Sequence, residues 1–339
     1  MTAAAGMPGI GIIGWGTCLP EGRLTNAELA ERFDVDDDWI VRRTGIRERR
    51  IVGPGETTAS LAVAAGRRAL DRAGLRPDEI SHLILASGTP EQLSPATSAF
   101  VQRELGTAGG AHDVNAECAS FAYGFVVAAG LMAIDPRPIL LIGTDTHSLV
   151  VNPEDRDLGV LIGDGAGAVV LAPHDRSWLQ GWDMGCDGTK TDSLKIPAGG
   201  SRLPASEATL REKLHYAQIK GNEIYLHAVR FTVGSVKRTL AAAGLGPDDI
   251  DHLLPHQANM RILDSILEHS GVSRDRLITN IEYYGNTGAA SMPIALAEAL
   301  DAGRIQRGDR VLFAAFGAGM VWVTALLEWG AGEPVEWRS

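Results

Sequence analysis

The sequence predicts an α/β protein made of two related halves, and three observations carry that reading. Residues 67–83 (RRALDRAGLRPDEISHL) return as residues 237–253 (KRTLAAAGLGPDDIDHL), with ten of seventeen positions identical at an offset of 170. Gly165-Ala166-Gly167 with the run Ala168 to Leu171 returns as Gly317-Ala318-Gly319 with Met320 to Val323, at an offset of 152. The first half therefore carries extra residues between its two echoes. Short apolar runs at 139–142, 168–171 and 311–315 have the composition of strands buried on both faces.

The elements follow in chain order. Each copy of the first echo is an amphipathic helix ending at Gly74 or Gly244, then Pro-Asp, then an apolar strand, Leu83 to Ala86 or Leu253 to Pro255. The segment Asn115 to Gly124 follows Ala111 to Val114 and opens an apolar helix running to Ala133. Gly163 to Gly167 and Gly317 to Gly319 read as glycine turns feeding strands, and Met292 to Leu300 reads as a helix. The seam falls near Pro173 to Leu179, which predicts halves 1–174 and 175–339. Asp183 to Thr209, rich in Gly, Ser, Thr and Lys, reads as a long excursion.

The 339 residues are 45% hydrophobic and 22% charged, ordinary for a folded globular chain. With 31 basic and 42 acidic residues and no basic run, the net charge of −11 excludes nucleic acid and anionic membrane as partners. No apolar stretch approaches the roughly 20 residues of a spanning helix. Met1 to Thr17 has no basic residue ahead of its apolar run, unlike a signal peptide. Cys18, Cys118 and Cys186 cannot all pair, so a reducing cytoplasm is expected.

Three positions could carry chemistry. Cys118 opens a helix, where unpaired N–H groups and the helix dipole would stabilise a thiolate nucleophile. A buried structural cysteine is an equally good reading of that segment alone. His256 sits at the carboxyl end of a strand, where α/β sheets place reactive groups. The equivalent residue of the first copy is Ala86, so the architecture does not require a histidine. Asn286 lies in a turn before a helix, where an Asn often serves only as a cap. Applying the offset of 170 to Cys118 lands on Gly288, which makes the Cys and Asn segments symmetry partners. Neither glycine segment precedes a helix, so a nucleotide cofactor is rejected. No metal-ligand spacing is present.

Six ordered motifs then carry a resemblance: Asp37 to Arg49, the Cys118 segment, Gly163 to Gly167, Pro255 to Asn259, Gly285 to Thr287, and Phe316 to Gly319. Together the chain resembles β-ketoacyl-acyl-carrier-protein synthase III, a condensing enzyme of the thiolase fold. The resemblance implies a duplicated five-layered α/β/α/β/α architecture and a Cys118–His256–Asn286 triad. It implies acylation of Cys118 by acyl-CoA, with the backbone N–H groups of Cys118 and Ala318 as the oxyanion hole. Decarboxylative condensation with a malonyl thioester on an acyl carrier protein would follow, its enolate held by His256 and Asn286. By the same resemblance Trp39 and Arg156 flank the CoA adenine, Arg43 lies at the CoA entrance, and Asn259 lines the pantetheine tunnel. CoA thioester is a substrate, no cofactor is implied, and a homodimer is.

Departures shape the expectation. Arg261 is kept for carrier-protein contact, but Leu226, Glu268 and His269 stand where basic residues are usual. Glu117 and Ser120 flank the nucleophile where small residues are usual. Ser94 stands where a bulky aromatic closes the acyl pocket of acetyl-specific members, so a primer larger than acetyl is expected. The main alternative is an acyltransferase on the same scaffold, passing the acyl group to an alcohol, amine or other carbon nucleophile. Asn286 favours condensation, since acyl transfer to oxygen or nitrogen needs a base more than an enolate donor. A biosynthetic thiolase would need a second Cys in the C-terminal glycine turn, and a non-catalytic scaffold would have lost a triad member.

Overall fold

The computed structural model describes residues 9–175 and 177–330. Residues 1–8, the start of the stretch read for an export signal, lie outside it.

One sheet holds the strands Ile10–Cys18, Asp164–Pro173, Ile139–Thr146, His82–Ala86 and Gly110–Val114, side by side in that order. Its first two pairings are antiparallel and its last two parallel. The second sheet holds Trp178–Cys186, Val321–Glu328, Arg310–Gly317 and His252–Pro255, with the same sequence of directions. Where the first sheet has its fifth strand, the second has an isolated parallel bridge between Leu253 and Leu277. Strands of the first sheet all come from residues 10–173, and those of the second from 178–328.

The repeated sequence folds twice into one unit. The helices Thr58–Ala73 and Gly221–Ala243 both end at a left-handed glycine, Gly74 (φ 65°) and Gly244 (φ 71°). Each is followed by a single 3-10 turn, Pro77–Glu79 or Pro247–Asp249, and then a buried strand.

Strand pleating sorts the side chains into layers. Leu83 and Leu85 pack outward on the helix Thr58–Ala73, while Ile84 and Ala86 point inward. In the second sheet Leu312, Ala314 and Phe316 pack outward on the helices Gly221–Ala243 and Met260–Ser270, and Val311, Phe313 and Ala315 point inward. Between the two inner faces lie the helices Ser120–Met132 and Ser291–Asp301. Phe125 meets Phe313 edge to face there, with ring centroids 5.1 Å apart. Burying each such ring contributes roughly 1.5–3 kcal/mol. The order is helix, sheet, helix pair, sheet, helix: the five-layered thiolase fold expected from the motifs.

Two local expectations are corrected. Gly163 to Gly167 is no turn: the strand starts at Asp164 and runs through it. Its glycines admit the central helix instead, since a Cβ on Gly167 would come 2.8 Å from Pro293. Asp183 to Cys186 is not part of the excursion but completes a strand, because it pairs with Val321–Thr324.

Candidate active site

Cys118 lies in the 3-10 turn Glu117–Ala119, directly ahead of the helix Ser120–Met132. Ser120 closes the turn: its Oγ accepts from the Ala116 N–H at 2.8 Å and donates to the Glu117 carbonyl at 2.5 Å. Glu117 takes φ 51°, a left-handed conformation rare outside glycine. That reversal presents Cys118 to a cavity of about 330 Å³. The strand end Gly317 packs on this turn so closely that a Cβ would meet the Ala116 carbonyl oxygen at 2.3 Å. Ala318 follows and lines the same cavity.

His256 follows the strand His252–Pro255, its backbone N–H bonded to the Ala314 carbonyl at 2.9 Å. The ring is buried and meets Phe316 edge to face. Ser291 Oγ accepts from the Gln257 N–H at 3.2 Å and lies 2.8 Å from His256 Nδ1. A hydroxyl that donates to Nδ1 leaves the ring proton on Nε2, the tautomer that an Nε2–H donor role requires. Burial, helped by nearby His147, holds the His256 pKa down to about 3, so the ring is neutral.

Asn286 is fixed through its backbone, donating to the Leu161 carbonyl at 2.8 Å and accepting from the Gly163 N–H at 2.9 Å. Its Oδ1 accepts from the Gly288 N–H at 3.0 Å, which leaves the amide N–H groups for a ligand. Cys118, His256, Asn286 and Ala318 thus line one cavity, although they come from both halves.

The thiol departs from expectation. Burial, reinforced by the carboxylates of Asp145 and Glu117, pushes Cys118 well above the ordinary thiol range. Backbone hydrogen bonding opposes this more weakly, so the helix start does not yield a resting thiolate. Burial also pushes Glu117 up, with His147 opposing and Asp145 reinforcing the shift.

Other expected residues divide into two groups. Asn259 lines the cavity, and its Oδ1 also caps the helix Met260–Ser270 through the Ile262 N–H at 3.0 Å. The guanidinium carbons of Arg43 and Arg156 lie 4.7 and 5.2 Å from the centroid of the Trp39 ring, so these three residues form one patch. Arg261 is exposed and stacks on Tyr225, while Leu226, the residue after Tyr225, is 64% exposed. Ser94 is the exception. It does not line the cavity of this chain, because the loop after the strand His82–Ala86 turns outward and leaves Leu93, its neighbour, 84% exposed.

Sequence reasoning missed Ser291, Asp145 and His147. Asp145 binds the loop beside the cavity, its Oδ1 accepting from the Gly88 N–H at 2.8 Å and its Oδ2 from the Ala289 N–H at 2.7 Å. No spacing pattern marks these residues; a polar run at the end of an apolar strand, Thr144 to His147, was the available signal.

Comparison with known proteins agrees along nearly the whole chain. Residues 112–188 match the family described as 3-oxoacyl-(acyl-carrier-protein) synthase III, and residues 240–329 match its C-terminal region. A β-ketoacyl-(acyl-carrier-protein) synthase III of Roseiflexus castenholzii is 45% identical over 324 residues, covering 95% of this chain and 98% of that one. The chain belongs to the β-ketoacyl-acyl-carrier-protein synthase III family. Synthase III of Caldanaerobacter subterraneus is 41% identical over 94% of this chain and 97% of its own length. The crystal structure of the Aquifex aeolicus synthase III superposes with a TM-score of 0.87 at 37% identity, covering 95% of this chain and all of that one. The priming β-ketosynthase of a polyketide pathway superposes with a TM-score of 0.86 at 31% identity, covering 96% and 98%.

Proposed function

We propose that this family member starts fatty-acid or polyketide chains by condensing an acyl-CoA primer with a malonyl thioester. The observation that carries the reading is the convergence of Cys118, His256, Asn286 and Ala318 on one cavity, in a chain 45% identical to a synthase III.

In the first step the Cys118 sulfur attacks the thioester carbon of acyl-CoA. The N–H groups of Cys118 and Ala318 hold the oxyanion, and the thiol proton ends on the departing CoA sulfur. In the second step the malonyl thioester loses carbon dioxide. Its enolate oxygen is held by the Nε2–H of His256 and the amide N–H of Asn286. The enolate carbon attacks the acyl carbonyl, the bond to Cys118 breaks, and the thiolate takes a proton from water. His256 suits this role because its burial keeps it a neutral donor. CoA enters as a substrate held near Trp39, Arg43 and Arg156, with Asn259 along the tunnel, and no cofactor takes part.

The acceptor is a malonyl group on an acyl carrier protein docking near Arg261, and the enzyme works in the cytoplasm as a homodimer. Second copies matter for Ser94, which can border an acyl pocket only across such a contact. The primer is larger than acetyl; a strict preference for acetyl-CoA over butyryl- or branched acyl-CoA overturns that point.

Intact mass after acyl-CoA treatment, followed by malonyl carrier protein, tests the whole reading. An adduct on Cys118 and release of carbon dioxide are expected. An adduct without carbon dioxide release points to the acyltransferase alternative, and no adduct refutes the catalytic reading.

A further inference from the structure

Two polar side chains beside Cys118 have no part in these steps. Glu117 and His147 both line the cavity next to the nucleophile. The Glu117 carboxylate lies over Gly88, where a Cβ would come 2.7 Å from Oε2. Only its backbone N–H and carbonyl are engaged, by Asn115 and Ser120, and its side chain has no hydrogen bond among the described residues. His147 follows the strand Ile139–Thr146 and packs on Gly288, where a Cβ would come 2.2 Å from Cε1. Its Nδ1 is buried without a hydrogen-bond partner among the described residues. It stands 3.9 Å from Asp145 Oδ2, beyond hydrogen-bond range.

Asp145 is different, because both its oxygens are engaged. Oδ1 accepts from Ser87, Gly88 and Thr89, and Oδ2 from Ala289. Asp145 therefore belongs to the scaffold, whereas Glu117 and His147 hold unused hydrogen-bonding capacity at the cavity wall. The same cavity also carries an apolar lining, Val150, Val151, Leu158, Leu161 and Ile162 among it. A plain alkyl chain laid there takes water from two polar groups and offers nothing in return. An acyl chain with a hydroxyl near its carbonyl supplies the missing partner.

We propose that Glu117 and His147 are specificity-determining residues that select a short acyl-CoA bearing a hydroxyl close to the thioester. The hydroxyl donates to a Glu117 carboxylate oxygen and meets His147 on its other side. A carboxyacyl chain is disfavoured, since its charge would face the Glu117 carboxylate at the cavity wall. The inference rests on Cys118 being the nucleophile that takes the acyl group.

Self-acylation of the full chain with butyryl-CoA, 3-hydroxybutyryl-CoA and succinyl-CoA tests it, each read as kcat/KM by intact mass. The expected result is a preference for 3-hydroxybutyryl over butyryl of about tenfold or more, with succinyl the poorest. His147→Leu and Glu117→Ala should each bring the hydroxybutyryl-to-butyryl ratio to about one or below, and Glu117→Gln, which keeps hydrogen-bonding capacity, should retain part of it. The ratio is read within each variant, so a general loss of folding or activity cancels. A wild-type ratio of one or less, or a ratio unchanged in both truncated variants, overturns the proposal. Failure of every acyl-CoA to form an adduct overturns the catalytic reading itself; an adduct with butyryl but no hydroxyl preference overturns only this inference.

Discussion

The 3-10 turns Glu117–Ala119 and Gly288–Ala290 occupy the same place in the two halves, and each leads into a central helix. Their first residues share a left-handed backbone, φ 51° at Glu117 and 57° at Gly288. The first turn can carry a side chain there. The second cannot, because a Cβ on Gly288 would meet Asp145 Oδ2 and His147 Cε1, both at 2.2 Å. Cys118 therefore reaches the cavity from within its turn, while the second half reaches it with Asn286, just before its own. The strands feeding the site differ in the same way: Ile139–Thr146 is followed by His147, and Arg310–Gly317 by Ala318. Duplication set matching backbone positions, and dissimilar side chains occupy them.

The largest test of that division is Cys118→Ala. It should abolish the acyl adduct and lower turnover by about four orders of magnitude or more, read by intact mass and product formation. His256→Ala and Asn286→Ala should spare the adduct yet cut condensation by roughly 10²–10³, as loss of one preorganised donor does. Equal loss of both steps in these variants would show that the halves do not split the reaction. Ser291→Ala removes the partner of the ring and of the Gln257 N–H, and should cost condensation roughly tenfold.

Packing offers a smaller contrast. Gly143 faces the second half so closely that a Cβ would lie 2.4 Å from the Ala289 carbonyl oxygen. Gly143→Ala should destabilise the fold by about 1–3 kcal/mol in denaturant melts. Gly130, exposed on the helix Ser120–Met132 with nothing within 4 Å, should gain up to about 1 kcal/mol as Ala.

The pH profile separates the two reactive groups. A thiol pushed up by burial is protonated at neutral pH, so iodoacetamide labelling of Cys118 should climb with pH, without a plateau below pH of about 9. A plateau near neutrality would mean a resting thiolate. His256 has the opposite sign. The unfolded chain takes up its proton near pH 6.5, while the folded ring resists until about 3, so its share of stability is lost as pH falls between those values.

Much of this was legible in advance. The repeat between residues 67–83 and 237–253 marked the duplication because helix, glycine cap and strand are local features. Cys118 and His256 stood out because a helix start and a strand end are places a pattern can locate. The symmetry mapping missed by one residue: the matching 3-10 turns set Cys118 against Ala289 rather than Gly288. Gly163 to Gly167 misled because a glycine that admits a helix looks, in one dimension, like a glycine that makes a turn. Where Ser94 lies was not legible, because it depends on where a loop goes after leaving the sheet.

The sequence by itself determined the α/β class and the duplication, and it singled out the candidate residues, all from short-range periodicity and ordered motifs. Only the tertiary structure decided what the His256 ring meets, which way burial shifts the thiol of Cys118 and which polar groups stand unpaired at the cavity wall. Those properties come from burial and from partners far apart in the chain. Ser291 lies 35 residues from His256, and Asp145 reaches 144 residues to Ala289. Desolvation and hydrogen bonding act through space, and a linear pattern does not record distances that close only on folding.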